Sequence, residues 1–334
     1  MAFLHNSQNV INNSKVINAA NLTVIVGSTD SYVEIKTYVP PPMYGTVSGF
    51  LVGGTPSPGP GGVSNEIQKF PFATNANATD YGDLTEYARS AAGQSSSTHG
   101  YRTGGNVNPP GANSNVIDKF PFASAANATD VGDLTQSRYF GVGQSSPTHG
   151  YMSGGVPSNV IDKFPFASGG NATDVGDLTS TLSNSFHASG QSSSTSGYVS
   201  ATNQDGYFRH INKFSFSSDG NATTIGTLAG SYGGGGSGQS SSTHGYNSGS
   251  APFFGRGAYI EKFPFATDTN ATKVADLYQP VYHASGQSSS VSGYVSGGFP
   301  DINVIQKFPF SSDANSSDVG DILRGMQYVV GQQD

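Results

Sequence analysis

A Lys-Phe-Pro-Phe stretch recurs six times along this chain of 334 residues, and no other feature constrains the fold as strongly. Its copies begin at Lys69, Lys119, Lys163, Lys213, Lys262 and Lys307, and Ser215 replaces the proline in the fourth copy. The copies are about 48 residues apart, a period typical of solenoids, propellers and other arrays of repeated units. The repeat therefore predicts the architecture.

Each unit contains four strand candidates. In the second unit they are residues 89–96, 98–105, 116–124 and 128–134, here named strands A, B, C and D. A four-stranded antiparallel unit of this length is the size of one propeller blade. The 45 glycines, the 18 prolines and a charged fraction of only 11% also suit many short strands joined by tight turns. Six copies of strand D predict six blades.

The two ends of the repeat region predict a closed ring. Gly331 and Gln332 belong to a strand A that no strand B follows, whereas residues 46–54 form a strand B that no strand A precedes. Pairing these segments would complete one blade and remove exposed sheet edges. We therefore predict an all-β fold, a six-bladed β-propeller over residues 44–334, closed by pairing of the C-terminal strand with the first unit.

Residues 1–43 stand outside the repeat and are predicted to form an extended or β-structured N-terminal arm. The arm has β-branched runs at residues 22–26 and 31–39, followed by three prolines at 40–42. Two or three strands cannot bury a core alone. We therefore expect the arm to dock on the propeller, on further copies of the chain, or on a larger assembly.

Strand B ends in a diglycine after an aromatic residue, as in residues 101–105, 151–155 and 294–298, and Arg89 and Arg138 open strand A. These features resemble the Kelch repeat over residues 44–334, which implies four-stranded blades and a protein-binding scaffold. The chain departs from the Kelch pattern because it has no tryptophan in strand D. The Phe-Pro-Phe and Gly-Gln-Ser-Ser-Ser-Thr-His-Gly phrases also resemble repeat proteins predicted in marine bacteriophages, chiefly cyanophages, which implies a virion component.

The repeated phenylalanines and lysines are predicted to have structural roles. Alternation along strand C points Phe70 and Phe72 the same way, as wedges between blades; the alternative is an aromatic platform for a ligand. Five of the six lysines are predicted to form a cross-strand ion pair within their blade, which would fix strand register, whereas Lys213 would face Thr227. The predicted pairs are Lys69 with Asp83, Lys119 with Asp133, Lys163 with Asp177, Lys262 with Asp276, and Lys307 with Asp321.

Two further repeated positions have competing interpretations. His99, His149 and His244 occupy one position and are interpreted as turn residues, with a metal site as the alternative. The Asn-Ala-Thr sequences beginning at Asn77, Asn127 and their equivalents are formal glycosylation acceptors. They also fall where the turn between strands C and D is expected, where asparagine can cap its own backbone. The turn interpretation is preferred for both.

Composition argues against several function classes. The formal net charge of −7 disfavours binding to nucleic acid, and no apolar run is long enough for insertion into a membrane. The chain has no cysteine, which the radical cofactor of Kelch-type oxidases requires, and no tryptophan for the Asp boxes of sialidase-type propellers. It carries no phosphate loop, metal-ligand spacing or nucleophile elbow. We therefore expect no enzyme activity, no cofactor and no catalytic or metal-binding residues.

The B–C and D–A loops vary between units, whereas the A–B and C–D turns are nearly identical. In a four-stranded meander the two variable sets emerge on one face, and variable loops on a rigid scaffold are where binding usually occurs. The predicted binding residues are Tyr207, Phe208, Arg209, Phe253, Phe254, Arg256, Tyr259 and Phe299. Aromatic residues and arginine are typical of interface hot spots and of sugar platforms.

These observations predict a non-enzymatic virion structural protein that is a decoration, appendage or fibre component, assembled in the host cytoplasm. The propeller would display its variable loops to a host glycan or receptor, and residues 1–43 would bind other virion proteins or further copies of the chain. The alternatives are a free carbohydrate-binding propeller or adhesin, and a protein-interaction scaffold.

Overall fold

The computed structural model describes residues 45–56, 62–107, 111–181, 188–203, 208–230, 234–250 and 257–334, together with four strands nearer the N-terminus. The chain divides into two compact units, Met1–Pro41 and Pro42–Asp334. In the first unit, Phe3–His5 pairs with Asn9–Ile11 and Leu22–Val26 pairs with Val33–Thr37, both antiparallel. No helix in the described residues is long and apolar enough to cross a membrane.

The second unit is a six-bladed β-propeller of four-stranded antiparallel sheets, as predicted. From blade 1 to blade 6, the A strands are Val330–Gln333, Ala92–Ser95, Val142–Ser145, Ser189–Ser192, Ser237–Ser240 and Ser285–Ser288. The B strands are Ser48–Val52, His99–Thr103, His149–Ser153, Ser196–Asn203, His244–Ser250 and Ser292–Ser296. The C strands are Glu66–Pro71, Val116–Pro121, Val160–Pro165, Phe208–Ser215, Gly257–Pro264 and Val304–Pro309. The D strands are Thr79–Asp83, Thr129–Asp133, Thr173–Asp177, Thr223–Thr227, Thr272–Asp276 and Ser317–Asp321.

Blade 1 contains strands from both ends of the propeller sequence. Val330–Gln333 pairs antiparallel with Ser48–Val52, with Gly331 opposite Leu51. The predicted ring closure is therefore confirmed.

Short strand pairs join the two sets of variable loops on one face of the ring. Met326–Gln327 pairs with Thr55–Pro56, and Ala88–Arg89 pairs with Asn106–Val107. Each pair links the end of a D–A loop to the start of a B–C loop in the same blade. We call this side of the propeller the variable face and the opposite side, formed by the A–B and C–D turns, the uniform face.

The phenylalanines of strand C are wedges between blades, as predicted. In blade 2, the rings of Phe120 and Phe122 lie 5.5 and 4.8 Å from the ring of Phe50 in blade 1. Around the ring, the corresponding pairs contact Tyr101, Tyr151, Tyr198, Tyr246 and Tyr294 of the preceding blade. Offset and edge-on contacts between aromatic rings stabilise the fold by more than the burial of their apolar area alone.

A glycine in strand B makes room for each wedge. A Cβ atom on Gly100 would collide with the ring of Phe120 in the same blade, and Gly49, Gly150, Gly197, Gly245 and Gly293 stand in the same relation to their own phenylalanines. The glycine of the repeated Gly-Tyr pair is therefore a packing requirement.

The asparagines of the C–D turns bind the neighbouring blade. The Oδ1 atom of Asn127 accepts a hydrogen bond of 3.0 Å from the main-chain N–H of Asp83, and the N–H of Ala128 donates to the oxygen of Asp83 at 2.7 Å. The same side-chain bond occurs at Asn77, Asn171, Asn221, Asn270 and Asn315. The prediction that these asparagines lie in a turn is correct, but they cap the preceding blade instead of their own backbone.

The predicted register between strands C and D is wrong. Lys69 lies opposite Thr79, and Asp83 lies opposite Glu66, so Lys69 and Asp83 do not face each other. The same register separates Lys119 from Asp133, Lys163 from Asp177, Lys262 from Asp276, and Lys307 from Asp321. The reason is that Asn77 and Ala78 pair with the preceding blade, so strand D begins only at Thr79.

Three of the repeated lysines instead form ion pairs with the following blade. Lys163 lies 2.9 Å from Asp219, Lys213 lies 2.9 Å from Asp268, and Lys262 lies 2.7 Å from Asp313. The aspartates occupy one position of the C–D turn. These pairs are partly exposed, so each is expected to contribute little to stability.

Candidate functional site

The innermost strands meet around the axis of the ring through glycine and glutamine. A Cβ atom on any glycine of the Gly-Gln pair would collide with the carbonyl oxygen of the corresponding glycine in the preceding blade, as Gly143 would with Gly93. The side-chain amide of Gln94 donates 2.9 Å to the main-chain oxygen of Tyr151 in the next blade. The equivalent glutamines are Gln144, Gln191, Gln239, Gln287 and Gln332.

This contact leaves a narrow channel along the axis. A cavity of about 120 Å³ lies above the glycines towards the variable face, and one of about 70 Å³ lies below them towards the uniform face. Glycine and serine account for much of both linings, including Ser189 and Ser285 in the upper cavity. The channel is therefore lined mainly by backbone and small side chains, and larger side chains surround the mouth of the upper cavity.

One residue from each described D–A loop surrounds that mouth. Ser90, Phe140, Gly235, His283 and Tyr328 each precede the channel glycine by three residues, and all five have positive φ angles between 54° and 92°. Their main chains are hydrogen-bonded in sequence around the ring: the N–H of Ser90 donates to the oxygen of Tyr328, and that of Phe140 donates to the oxygen of Ser90. The left-handed conformation costs a residue other than glycine on the order of 1 kcal/mol or more, so the main chain imposes it here.

A row of six rings runs across the mouth. Tyr139 contacts Phe140, Phe140 contacts Tyr328, and Tyr328 stacks on His283 at 4.4 Å. His283 contacts Tyr282, whose ring lies 4.8 Å from Phe299. We call this set the aromatic row. It includes Phe299, one of the predicted binding residues, which is 36% exposed.

Beside the aromatic row lies a cavity of about 210 Å³, lined by Arg89, Ser90, Asn106, Tyr139, Phe140 and Tyr328. Two other arginines are buried and paired: Arg138 lies 2.9 Å from Asp162, and Arg102 lies 2.5 Å from Asp118. In the described part of the chain, the guanidinium of Arg89 has neither a hydrogen bond nor an ion pair. We call this cavity the Arg89 pocket.

Burial determines the protonation of the aromatic row. It lowers the pKa of His283 to about 4, so the imidazole is neutral near pH 7. Burial also raises the pKa of Tyr328, and the charge of Arg89 opposes that rise. His283 and Tyr328 are therefore uncharged at neutral pH, and Arg89 supplies the positive charge beside them.

The other predicted binding residues have different locations. Tyr207, Phe253, Phe254 and Arg256 lie outside the described residues. Phe208 and Arg209 begin strand C of blade 4 instead of lying in a loop, and Tyr259 is likewise in strand C of blade 5. The ammonium of Lys273 lies 4.3 Å from the centre of the Tyr259 ring.

The repeated histidines, which were predicted to be turn residues, are the first residues of their B strands and directly follow the A–B turns. The hydroxyl of Thr98 lies 2.8 Å from Nδ1 of His99, and the main-chain N–H of His99 donates to Oγ of Ser96 at 3.0 Å. His149 and His244 repeat both contacts. Within the described ranges, no group of three His, Asp or Glu side chains could hold a metal ion.

Sequence reasoning predicted variable D–A loops, but it placed Ser90 in strand A and did not single out the mouth residues. The available signal was their distance from the channel glycine: three residues before it stand Ser90, Phe140, residue 187, Gly235, His283 and Tyr328. An alignment of the six units on Gly-Gln would have shown a position that carries an aromatic or imidazole ring in several blades. The fixed offset, and not the residue type, identifies the position.

No protein-family model matches this chain, and no curated protein matches its sequence. The two faces of the propeller differ in the residues that form them. Residues that repeat in all units form contacts between blades, whereas those that differ surround the mouth of the channel. The six rings of the aromatic row lie on the variable face, as does Arg89, whose guanidinium is unpaired among the described residues.

Proposed function

We propose that the protein is a non-enzymatic structural component of a virion that displays the variable face of its propeller for attachment or assembly contacts. The observation that carries the proposal is that the repeated residues and the variable residues have different roles. The Phe120 wedge, the Asn127 bond and the Gln94 bond all connect neighbouring blades. Several of the residues that distinguish the blades surround the channel mouth, where their side chains could make external contacts.

The chemistry of the variable face supports binding over catalysis. Its mouth presents several aromatic rings on main chains that are hydrogen-bonded to one another, with one cation beside them. Such an arrangement offers a large contact area at small conformational cost, as in interface hot spots. The buried charged pairs Arg102–Asp118 and Arg138–Asp162 are assigned to the scaffold because both partners are inaccessible.

Immunogold electron microscopy of the particle fraction from the source culture tests the proposal. Antibody raised against residues 44–334 should label capsid or tail, and the label position distinguishes decoration from fibre. Antibody preabsorbed with the purified protein is the control. Label confined to cells or to the soluble fraction would overturn the virion assignment.

The second candidate is a free carbohydrate-binding propeller, which the aromatic row favours because ring faces stack on sugars. Residues 1–43 discriminate between the two functions. Deleting them should abolish incorporation into particles if the arm docks the protein in a virion. If the propeller acts alone, the deletion should leave binding by residues 44–334 unchanged.

A further inference from the structure

The Arg89 pocket combines a cation, aromatic rings and small polar groups in one partly open cavity of about 210 Å³. This volume is below the roughly 300 Å³ at which pockets for drug-sized molecules begin. The pocket therefore suits a single ring-sized unit, such as one residue of a longer ligand that continues into solvent.

The cation is available for a ligand. Arg89 is half-buried, and no protein acceptor binds its guanidinium in the described residues. Arg102 and Arg138, in contrast, are fully buried and bind Asp118 and Asp162. A guanidinium has five N–H donors in a planar fork that matches a carboxylate, so an unpaired one beside a cavity favours an anionic ligand.

The walls favour a ligand with both an apolar face and hydroxyl groups. Phe140 and Tyr328 present stacked rings 6.2 Å apart, held by left-handed backbone conformations with φ angles of 61° and 59°. Ser90 and Asn106 add a hydroxyl and an amide to the lining. A pyranose ring has C–H faces for the aromatic walls and hydroxyls for the polar ones.

The charge of the whole chain narrows the ligand class. The net charge of −7 repels polyanions at long range, so a ligand with clustered phosphates or sulfates would be disfavoured. The negative charge of a single carboxylate would be neutralised locally by the guanidinium of Arg89. A sugar that carries a single carboxylate per ring satisfies both conditions.

We propose that the Arg89 pocket binds one uronic acid residue of an acidic polysaccharide, with the sugar carboxylate on Arg89 and the pyranose ring against Phe140 and Tyr328. This inference deepens the proposed function, on which it rests, by giving the variable face a ligand class. The site uses the mouth residues of blades 1 to 3, so the other three blades need not bind the same ligand.

Titration calorimetry at pH 7 with trigalacturonate tests the inference, using the fully methyl-esterified trimer as a neutral ligand of the same shape. The full-length protein should bind the acid and bind the ester at least tenfold more weakly, because the ester lacks the charge-assisted pair. Equal affinity for both trimers, or no binding of the acid, would overturn the proposal.

Two variants locate the binding site. Arg89→Gln should weaken trigalacturonate binding about tenfold to a hundredfold. Tyr328→Gly should also weaken binding, because it removes one aromatic wall of the pocket, and glycine accepts the positive φ as Gly235 does at the equivalent position. Arg324→Gln and Tyr278→Ala remove a cation and an exposed ring elsewhere, and both should bind like the parent protein. Unchanged binding by Arg89→Gln would place the sugar at another site and end the proposal.

The outcomes separate this inference from the proposed function. If gold labels particles but trigalacturonate does not bind, the virion role stands and the uronate site is wrong. If trigalacturonate binds through Arg89 but gold is absent from particles, the site stands and the virion role is wrong.

Discussion

The side-chain amide of Gln332 donates a hydrogen bond of 2.9 Å to the main-chain oxygen of Tyr101, which joins strand A of blade 1 to strand B of blade 2. Its other amide atom, Oε1, is buried and has no hydrogen-bond partner. In the other blades this oxygen accepts from a hydroxyl, as that of Gln144 does from Ser153 at 2.8 Å. Blade 1 has Val52 at that position, so the closing blade lacks one bond that the others have.

Val52→Thr should therefore stabilise the protein. The new hydroxyl would reach the unsatisfied Oε1 atom of Gln332, and the gain in the free energy of unfolding should be about 1 kcal/mol. Urea unfolding followed by tyrosine fluorescence measures it. The matched variant Thr103→Val, which removes the equivalent hydroxyl from Gln94, should destabilise by a similar amount. A fall in stability for Val52→Thr would contradict the assignment.

Gly100→Ala should destabilise the propeller by about 1 to 3 kcal/mol, because its Cβ atom would enter the space of the Phe120 ring. Thermal unfolding by calorimetry measures the change. Gly62→Ala is the control, since the nearest atom to its Cβ position is 3.8 Å away. Similar midpoints for the two variants would mean that the wedge tolerates an added methyl group.

Asn127→Ala should cost about 0.5 to 1 kcal/mol, at the low end for a hydrogen bond, because water can replace the lost acceptor of the Asp83 N–H at this exposed site. Amide hydrogen exchange at Asp83 should also accelerate, which is the more direct measurement. Asn75→Ala, two residues before the equivalent asparagine of blade 1, should change neither quantity. An unchanged exchange rate in Asn127→Ala would rule out the bond between blades.

His283 should make stability depend on pH. Its pKa is about 4 in the folded protein against 6.5 for an unperturbed histidine, so the unfolded chain takes up a proton first as the pH falls. The contribution is fully present above pH 6.5 and is lost progressively down to about pH 4, by about 3 kcal/mol.

His283→Phe is the variant that isolates this effect, since Phe140 already occupies the equivalent position with the same backbone conformation. Denaturant midpoints measured between pH 7 and pH 4 should fall less steeply in the variant than in the parent protein. Parallel curves would show that His283 does not carry the pH dependence.

The blade count, the strand order and the ring closure could be predicted because they depend on features with a strong periodic signal. Phe70 and Phe72 alternate with Lys69 along strand C. The first phenylalanine of every copy is buried, which requires the same fold in each unit. The ring closure was predicted from two segments that lack a partner strand within their own unit, one at Gly331 and the other at residues 46–54.

The register between strands C and D could not be predicted in the same way. Its prediction assumed that Asn77 and Ala78 belong to their own hairpin, but these residues bind Asp321 of the neighbouring blade. A contact between blades leaves no trace in the spacing within one unit. The ion pairs of Lys163 and Lys262 were assigned to the wrong aspartates for this reason.

The candidate site was predicted only as a face. Loop variation located it, and Phe299 was among the residues named, but Arg89 and Phe140 were not recognised as neighbours in one pocket. Their proximity arises from adjacent blades whose loops converge on the axis. The left-handed backbone conformation of Phe140, His283 and Tyr328 could not be predicted either, because these residue types seldom adopt it.

At the channel mouth the backbone conformation is the same in each described blade, whereas the side chain differs. Serine, phenylalanine, glycine, histidine and tyrosine all take the same backbone conformation at Ser90, Phe140, Gly235, His283 and Tyr328, and the bonds between them involve only amides and carbonyls. Substitutions at these positions can therefore alter the chemistry of the mouth while leaving its backbone geometry intact. If the mouth binds a surface polymer as proposed, a lineage that meets a changing polymer could revise its specificity one blade at a time and keep the same scaffold.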